Sequence, residues 1–246
     1  MRGAPGYVRE VFRSIQGEGP FVGVLQVFVR LAGCSARCRY CDSVDARERS
    51  AHCTVRSPGG TSLIPNPVPA AEIVARVRSL AGLPGFHSMS VTGGEPLEQI
   101  GFLTALLERS RAEEVPAYLE TNGLSVEGAR AVGGLVDYVS LDIKLPSLCP
   151  GVSLETYRSV LDSFGSASLF CKVVVAEGFS ASELEDAARI VAANDRATTF
   201  VIQPATPVAG CGTVGAAELL ACHERASRHL DDVRVIPQCH RLMGLE

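Results

Sequence analysis

Nowhere in the 246 residues does an apolar run approach the roughly 20 residues that span a bilayer, and the opening MRGAPGYVREVF has no apolar signal core. Both absences point away from membrane and export, so the chain is expected in the cytoplasm. An excess of basic charge is missing too. With 23 Lys and Arg against 27 Asp and Glu, the net charge is −4, which offers no basic face for nucleic acid and favours a small-molecule substrate. No unit of about 20–50 residues recurs. What the composition supplies is 46% hydrophobic residues, enough for a sizeable core, and 1–246 is expected to fold as one domain. Cysteine is plentiful at nine. In a reducing compartment the six at Cys53, Cys149, Cys171, Cys211, Cys222 and Cys239 are not expected in disulfides, and most read as small core residues, Cys171 and Cys222 most clearly.

The other three lie in Gly33-Cys34-Ser35-Ala36-Arg37-Cys38-Arg39-Tyr40-Cys41-Asp42, directly after the apolar run Val24 to Ala32. Thiolates suit iron–sulfur clusters and zinc, and the spacing C-x3-C-x2-C lets one strand-end loop fold Cys34, Cys38 and Cys41 around a single metal centre. One position is left over. A cubane cluster can give its fourth iron to a small molecule with amino and carboxylate groups, whereas structural zinc closes its tetrahedron with a fourth Cys or His. The close candidates for that ligand are His52 and Cys53. A cluster, a zinc site and buried free thiols all remain open on the spacing alone.

Ahead of the triplet, Tyr7 to Ser14 alternates loosely and leads into the glycine-rich turn Ile15-Gln16-Gly17-Glu18-Gly19-Pro20, which reads either as a plain connection or as backbone that approaches a ligand. Val24 to Ala32 is the first full strand, and its single charge, Arg30, needs a ligand carboxylate or a protein acid. Val44 to Pro69 shows no periodicity and reads as an excursion flanking the site or as a surface loop. Thereafter helices (Pro69–Leu80, Leu97–Arg109, Val126–Val132, Leu154–Phe164, Ser182–Ala193, Ala216–His229) alternate with strands (Phe86–Val91, Ala117–Glu120, Val136–Ile143, Leu169–Val175, Thr199–Ile202, Val233–Ile236). That pattern predicts a parallel sheet of about seven strands, with the triplet loop, 92–96, 121–123, Lys144 and Gln203-Pro204 gathered at one end.

The triplet together with Thr92-Gly93-Gly94-Glu95-Pro96 resembles the radical S-adenosylmethionine enzymes, whose cluster loop and GGEP motif have these forms. Ser14-Ile15-Gln16-Gly17-Glu18-Gly19, Phe28-Val29-Arg30-Leu31-Ala32-Gly33-Cys34, Cys41-Asp42-Ser43 and Val233-Arg234-Val235-Ile236-Pro237-Gln238-Cys239-His240 further resemble the 7-carboxy-7-deazaguanine synthases. This likeness implies an α/β fold, an incomplete parallel βα barrel, with a [4Fe-4S] cluster on Cys34, Cys38 and Cys41. It implies S-adenosylmethionine among Tyr40, Cys41, Asp42, Gly94, Glu120, Asp142, Lys144, Gln203 and Pro204, and a pterin substrate against Ile15, Gln16, Gly17, Arg30 and Thr92. Magnesium would sit on Ser43, and Lys144 and Arg30 are the catalytic candidates. The implied reaction converts 6-carboxy-5,6,7,8-tetrahydropterin to 7-carboxy-7-deazaguanine with loss of ammonia, in the queuosine and archaeosine precursor pathway. A flavodoxin or ferredoxin would supply the electron, and the chain would be a homodimer.

The sequence departs from that pattern at Asp142-Ile143-Lys144, where many members carry Ser-Pro-Lys, so Lys144 transfers more directly than Asp142. An aspartate there either accepts bonds from ribose hydroxyls or pairs with Lys144. His240 reads as a satisfied end-of-strand histidine. Two rivals stand beside this reading: a glycyl-radical-enzyme activase acting on a protein, and a zinc-stabilised binding module without catalysis.

Overall fold

Among the described residues seven strands run parallel, as the alternation predicts, but three more extend the sheet. The computed structural model describes residues 3–82, 85–208 and 210–245. In chain order its elements are β1 (Val8–Ile15), β2 (Leu25–Leu31), β3 (His52–Ser57), β4 (Gly60–Pro65), α1 (Ala70–Ala81), β5 (Phe86–Gly93), α2 (Ile100–Ala112), β6 (Ala117–Thr121), α3 (Val126–Val132), β7 (Tyr138–Asp142), α4 (Thr156–Leu161), β8 (Ser168–Val175), α5 (Ala181–Asn194), β9 (Thr199–Pro204), α6 (Ala216–Ala226), β10 (Val233–Val235) and α7 (Cys239–Leu242). The strand order is β10-β9-β8-β7-β6-β5-β2-β1-β3-β4, an open sheet. β2 and β5 through β10 pair in parallel. β1 runs antiparallel to β2 and parallel to β3, and β4 closes a hairpin with β3.

The additional strands correct two expectations. Tyr7 to Ser14 is a full strand, and the tract Val44 to Pro69 holds a hairpin as well as irregular chain. That hairpin is mostly exposed and buries little beyond Cys53, Val55 and Ile64, so it carried no apolar period to read.

Strand alternation explains how one sheet serves both core and site. Val27, Val29, Leu31, Met89, Val91, Leu119, Val139, Leu141, Cys171, Val173, Val175, Phe200 and Ile202 belong to the large buried core, together with the apolar stripes of the helices. In α1 that stripe is Ile73, Val74, Val77 and Leu80. The residues between them point the other way: Phe28 and Arg30 on β2, Thr92 on β5, Glu120 on β6, Ser140 and Asp142 on β7, Lys172 and Val174 on β8 and Gln203 on β9 all line one cavity. At the far end of this concave face Phe21 meets Tyr118 and Tyr138 edge-on, with ring centroids 5.7 and 5.1 Å away, and Phe170 at 6.2 Å. Tyr118, Phe170 and Val201 are buried there with Ile236 packed against them, forming an aromatic floor.

Candidate active site

A cavity of about 390 Å³ fills the concave face, and the thiol-bearing residues Cys34, Cys38 and Cys41 line it together with residues from the ends of six parallel strands. Half-exposed, all three leave the sheet on the loop after β2. That loop is stitched to its neighbours by backbone bonds: Gly33 N–H to Ala46 O (2.8 Å), Glu95 N–H to Gly33 O (2.8 Å) and Arg39 N–H to Leu148 O (2.9 Å). Gly94 has no alternative in this arrangement, because a Cβ there would stand 2.1 Å from Gly33 O. The GGEP turn and the cysteine loop are therefore packed backbone to backbone.

Glu95 locks that turn from below. Nearly fully buried, its carboxylate accepts from Leu97 N–H (2.9 Å), Thr121 Oγ1 (2.6 Å) and Asn122 N–H (2.8 Å). Burial pushes its pKa up to about 7 against the pull of those three donors.

One side of the cavity is built from Tyr40, Asp142, Lys144 and Gln203. Asp142 Oδ2 takes Lys144 Nζ at 2.7 Å and Lys172 Nζ at 3.4 Å. Burial alone would raise this carboxyl, but the two ammonium groups hold it below the usual carboxylate range. Lys144 in turn lies 5.3 Å over the Tyr40 ring. Against its own burial, the Asp142 charge carries it well above an ordinary lysine. Three polar atoms here are buried without any hydrogen-bond partner: Tyr40 OH, Asp142 Oδ1 and Gln203 Oε1. Buried polar atoms are rarely left so.

Across the cavity stand Phe12 and Phe28, stacked at 5.2 Å between centroids, with Arg30 beside them. Arg30 Nε donates to Glu10 Oε1 at 2.8 Å, Nη1 lies 3.4 Å from Ser43 Oγ, and the guanidinium is 5.7 Å from the Phe12 centroid. Its partner among protein groups is thus Glu10, which also pairs with Arg56 of β3. Deeper in the same half, Glu120 accepts from Gln16 Nε2 (2.9 Å) and Thr92 Oγ1 (2.9 Å), and Gln16 Nε2 also donates to Gln26 Oε1 (3.0 Å). Glu120 pairs with Ser140, two residues before Asp142 along β7.

The last strand's extension closes over one side. Gln238 Nε2 donates to both Glu18 Oε1 (2.8 Å) and Asp42 Oδ2 (2.9 Å), while its Oε1 accepts from Thr206 Oγ1 at 2.5 Å. Glu18 also pairs with Lys172; that charge outweighs burial and keeps Glu18 below its ordinary pKa. Asp42 is lowered too, its burial overcome by the bonds from Gln238 and Ser43 and by Arg241 at 3.5 Å. Gly17 O accepts from Cys239 N–H at 2.8 Å.

The model of the Radical SAM superfamily matches residues 29–159. Over 243 residues the chain is 37% identical to a 7-carboxy-7-deazaguanine synthase of Geobacter sulfurreducens, covering 96% of each chain. It is 35% identical over 257 residues to one of Methanothermobacter thermautotrophicus, again covering 96% of each. The chain belongs to the 7-carboxy-7-deazaguanine synthase family. Among solved structures, QueE from Escherichia coli superposes with a TM-score of 0.61 at 19% identity over 96% of this chain and 95% of that one. That likeness shows the fold, an incomplete βα barrel, and the family match over residues 29–159 gives the superfamily.

The residues present fit the groups this family implies. Three thiols on one loop suit a [4Fe-4S] cluster, and the three orphaned oxygens of Tyr40, Asp142 and Gln203 are acceptors and a donor waiting for a polar molecule such as S-adenosylmethionine.

Against the residues read from sequence, the structure brings nearly all into the one cavity: Ile15, Gln16, Gly17, Arg30, Tyr40, Asp42, Ser43, Thr92, Gly94, Glu120, Asp142, Lys144 and Gln203 with the three cysteines. Pro204 does not line it, because alternation along β9 turns Gln203 and then Ala205 inward instead. Glu120, expected beside S-adenosylmethionine, is bonded to Gln16 and Thr92, the expected pterin residues. The Gln16 amide is spent on Glu120, Gln26 and Glu18 N–H. His52 and Cys53 are displaced as neighbours of the triplet: both lie on β3, with Cys53 fully buried in the main core, and the sulfur that approaches the triplet is Cys149, 3.2 Å from Cys38 Sγ. Lys172, Gln238 and Arg241 were not singled out. Lys172 had the same signal as Arg30, a lone charge in the apolar strand Leu169–Val175.

Proposed function

We propose that this protein is a radical S-adenosylmethionine lyase that converts 6-carboxy-5,6,7,8-tetrahydropterin to 7-carboxy-7-deazaguanine with release of ammonia. The observation that carries the reading is the two-sided cavity beneath the cysteine loop. On one side, orphaned oxygens and the Lys144–Asp142 pair await a polar nucleoside; on the other, stacked Phe12 and Phe28 offer a wall for a flat heterocycle beside the Arg30 cation.

When bound, the cluster and S-adenosylmethionine supply hydrogen-atom abstraction chemistry. The chain's own residues then position the partners and keep water out. Arg30 orients the pterin carboxylate, and Glu120, held by Gln16 and Thr92, accepts from ring N–H groups. Asp142 Oδ1 is free to receive ribose hydroxyls while Oδ2 stays on Lys144, so the two sequence-based readings of this aspartate are compatible. Magnesium is assigned to Ser43 Oγ with Asp42 Oδ1 3.0 Å away; substrate oxygens and water would complete its shell, and Arg30 Nη1 must turn from Ser43 to admit it. A small flavodoxin- or ferredoxin-type donor supplies the electron. The protein acts in the cytoplasm as one domain; no helix among the described residues is long and apolar enough to cross a membrane. Exposed Leu220, Leu242 and Met243 near the C-terminus support a homodimer.

The test is an anaerobic assay with the carboxypterin deuterated at C6. Deuterium is expected in the 5′-methyl group of deoxyadenosine and, over many turnovers, in S-adenosylmethionine. Product formed with no deuterium at that carbon would sink the reading, and hydrogen drawn from a protein glycine would install the activase in its place. Run with and without magnesium, the same assay should lose its magnesium response in Ser43→Ala; an unchanged response removes Ser43 from the metal site.

A further inference from the structure

We propose that Cys38 and Cys149 form a reversible disulfide in the cluster-free chain, so that Cys149 is the guard thiol of a cluster ligand. This rests on the reading of Cys38 as that ligand. The two sulfurs lie 3.2 Å apart, which leaves about 1 Å to close before the bonded distance of about 2.05 Å.

Both flanks of the pair are held. Arg39 N–H donates to Leu148 O at 2.9 Å, which ties the residue after Cys38 to the residue before Cys149. The segment carrying Cys149 is fixed in place by Cys149 N–H to Leu145 O (2.8 Å) and by Glu183 Oε2, which takes both Ser147 N–H (2.9 Å) and Ser147 Oγ (2.6 Å). Leu148 and Cys149 are fully buried, whereas Cys38 is half-exposed on the cavity wall. Cys149 therefore cannot withdraw from its neighbour, and Cys38 is the sulfur that a molecule in the cavity meets first. Neither the three-thiol cluster loop nor the orphaned oxygens require a fourth sulfur at this place.

The chemistry balances with a small disulfide such as oxidised glutathione as the oxidant. Cys38 attacks one sulfur of that disulfide, expelling one glutathione thiolate and forming a mixed disulfide. Cys149 then attacks Cys38 Sγ, releases the second glutathione and leaves the protein disulfide; two protein thiols are oxidised and one small disulfide is reduced. In this state Cys38 cannot bind iron. It is also shielded from the irreversible sulfinic and sulfonic steps, and a dithiol restores both thiols for cluster assembly.

The experiment uses the full chain, stripped of iron anaerobically, incubated with oxidised glutathione, alkylated with iodoacetamide and digested for mass spectrometry. The expected product is a peptide pair linked through Cys38 and Cys149, with no glutathione on Cys38, and iron–sulfide reconstitution that succeeds only after dithiothreitol. In Cys149→Ser the glutathione should stay on Cys38. A wild-type map in which Cys149 is alkylated, or in which Cys38 is linked to Cys34 or Cys41 instead, overturns the proposal without needing the variant. A reduced chain that takes up no cluster would count against the cluster reading, and the linked peptide would still report the thiol pair separately.

Discussion

Arg30 carries one positive charge that two partners claim: Glu10, bonded through Nε, and the carboxylate proposed for the substrate. A planar guanidinium with five donors can serve both, whereas a lysine ammonium offers one compact point of charge. Arg30→Lys should therefore weaken pterin binding by about 1.5–3 kcal/mol, the worth of a charge-assisted bond, as read by equilibrium titration, with S-adenosylmethionine binding unchanged. The reverse pattern would move Arg30 to the cofactor side. Glu95 makes a second case at this scale. Its pKa is raised from 4.5 to about 7 in the folded chain, so its protonated form stabilises the fold below about pH 4.5 and that contribution is lost as the pH rises through 7. Glu95→Gln cannot titrate. Whatever constant offset the amide brings, the stability difference between variant and wild type should shift toward the variant between pH 5 and 8, by at most about 3 kcal/mol. Parallel denaturant midpoints across that range would show that Glu95 is ionised throughout.

Among the elements, α7 shows how much a short segment can govern. A Cβ on Gly17 would stand 2.3 Å from His240 Nδ1 and 2.6 Å from the His240 backbone nitrogen, so the substrate loop and the C-terminal turn fit only because residue 17 has no side chain. In Gly17→Ala the turn is expected to lift, taking Gln238 off Glu18 and Asp42. KM for the pterin should rise several-fold with little loss of melting temperature, since α7 buries no residue fully. An unchanged KM would reduce α7 to a terminal ornament. None of this was visible in sequence, because Gln238 and Glu18 are 220 residues apart and only the folded chain brings them together. What was legible had a local cause. The parallel strands announced themselves through apolar outer faces, the site loops through glycine and cysteine at strand ends, and Arg30 through its isolation. β1 was blurred by Arg9, Glu10, Arg13 and Ser14 among its apolar residues and the edge hairpin by its exposure. The bonds of Glu120 to Gln16 and Thr92 were not legible, because a strand's position along the chain says nothing of which side chain reaches it across the lumen.

For the whole molecule, the aromatic floor formed by Phe21 with Tyr118, Tyr138 and Phe170 has a kinetic consequence. That end of the cavity is stoppered, and on the proposed reading a molecule seated against the floor leaves past the one bound above it, in the reverse order of entry. Glu120 lies two steps further down than Asp142 along paired strands, so on the proposed reading the pterin would occupy the bottom and S-adenosylmethionine would settle above it. Labelled pterin loaded first should exchange freely with unlabelled pterin until S-adenosylmethionine is added, after which exchange should nearly stop. Exchange at the same speed in both states would mean that the stopper leaks. If it holds, S-adenosylmethionine is also the cork: the substrate is committed to reaction once the second molecule is seated, and product escapes only after the nucleoside has gone.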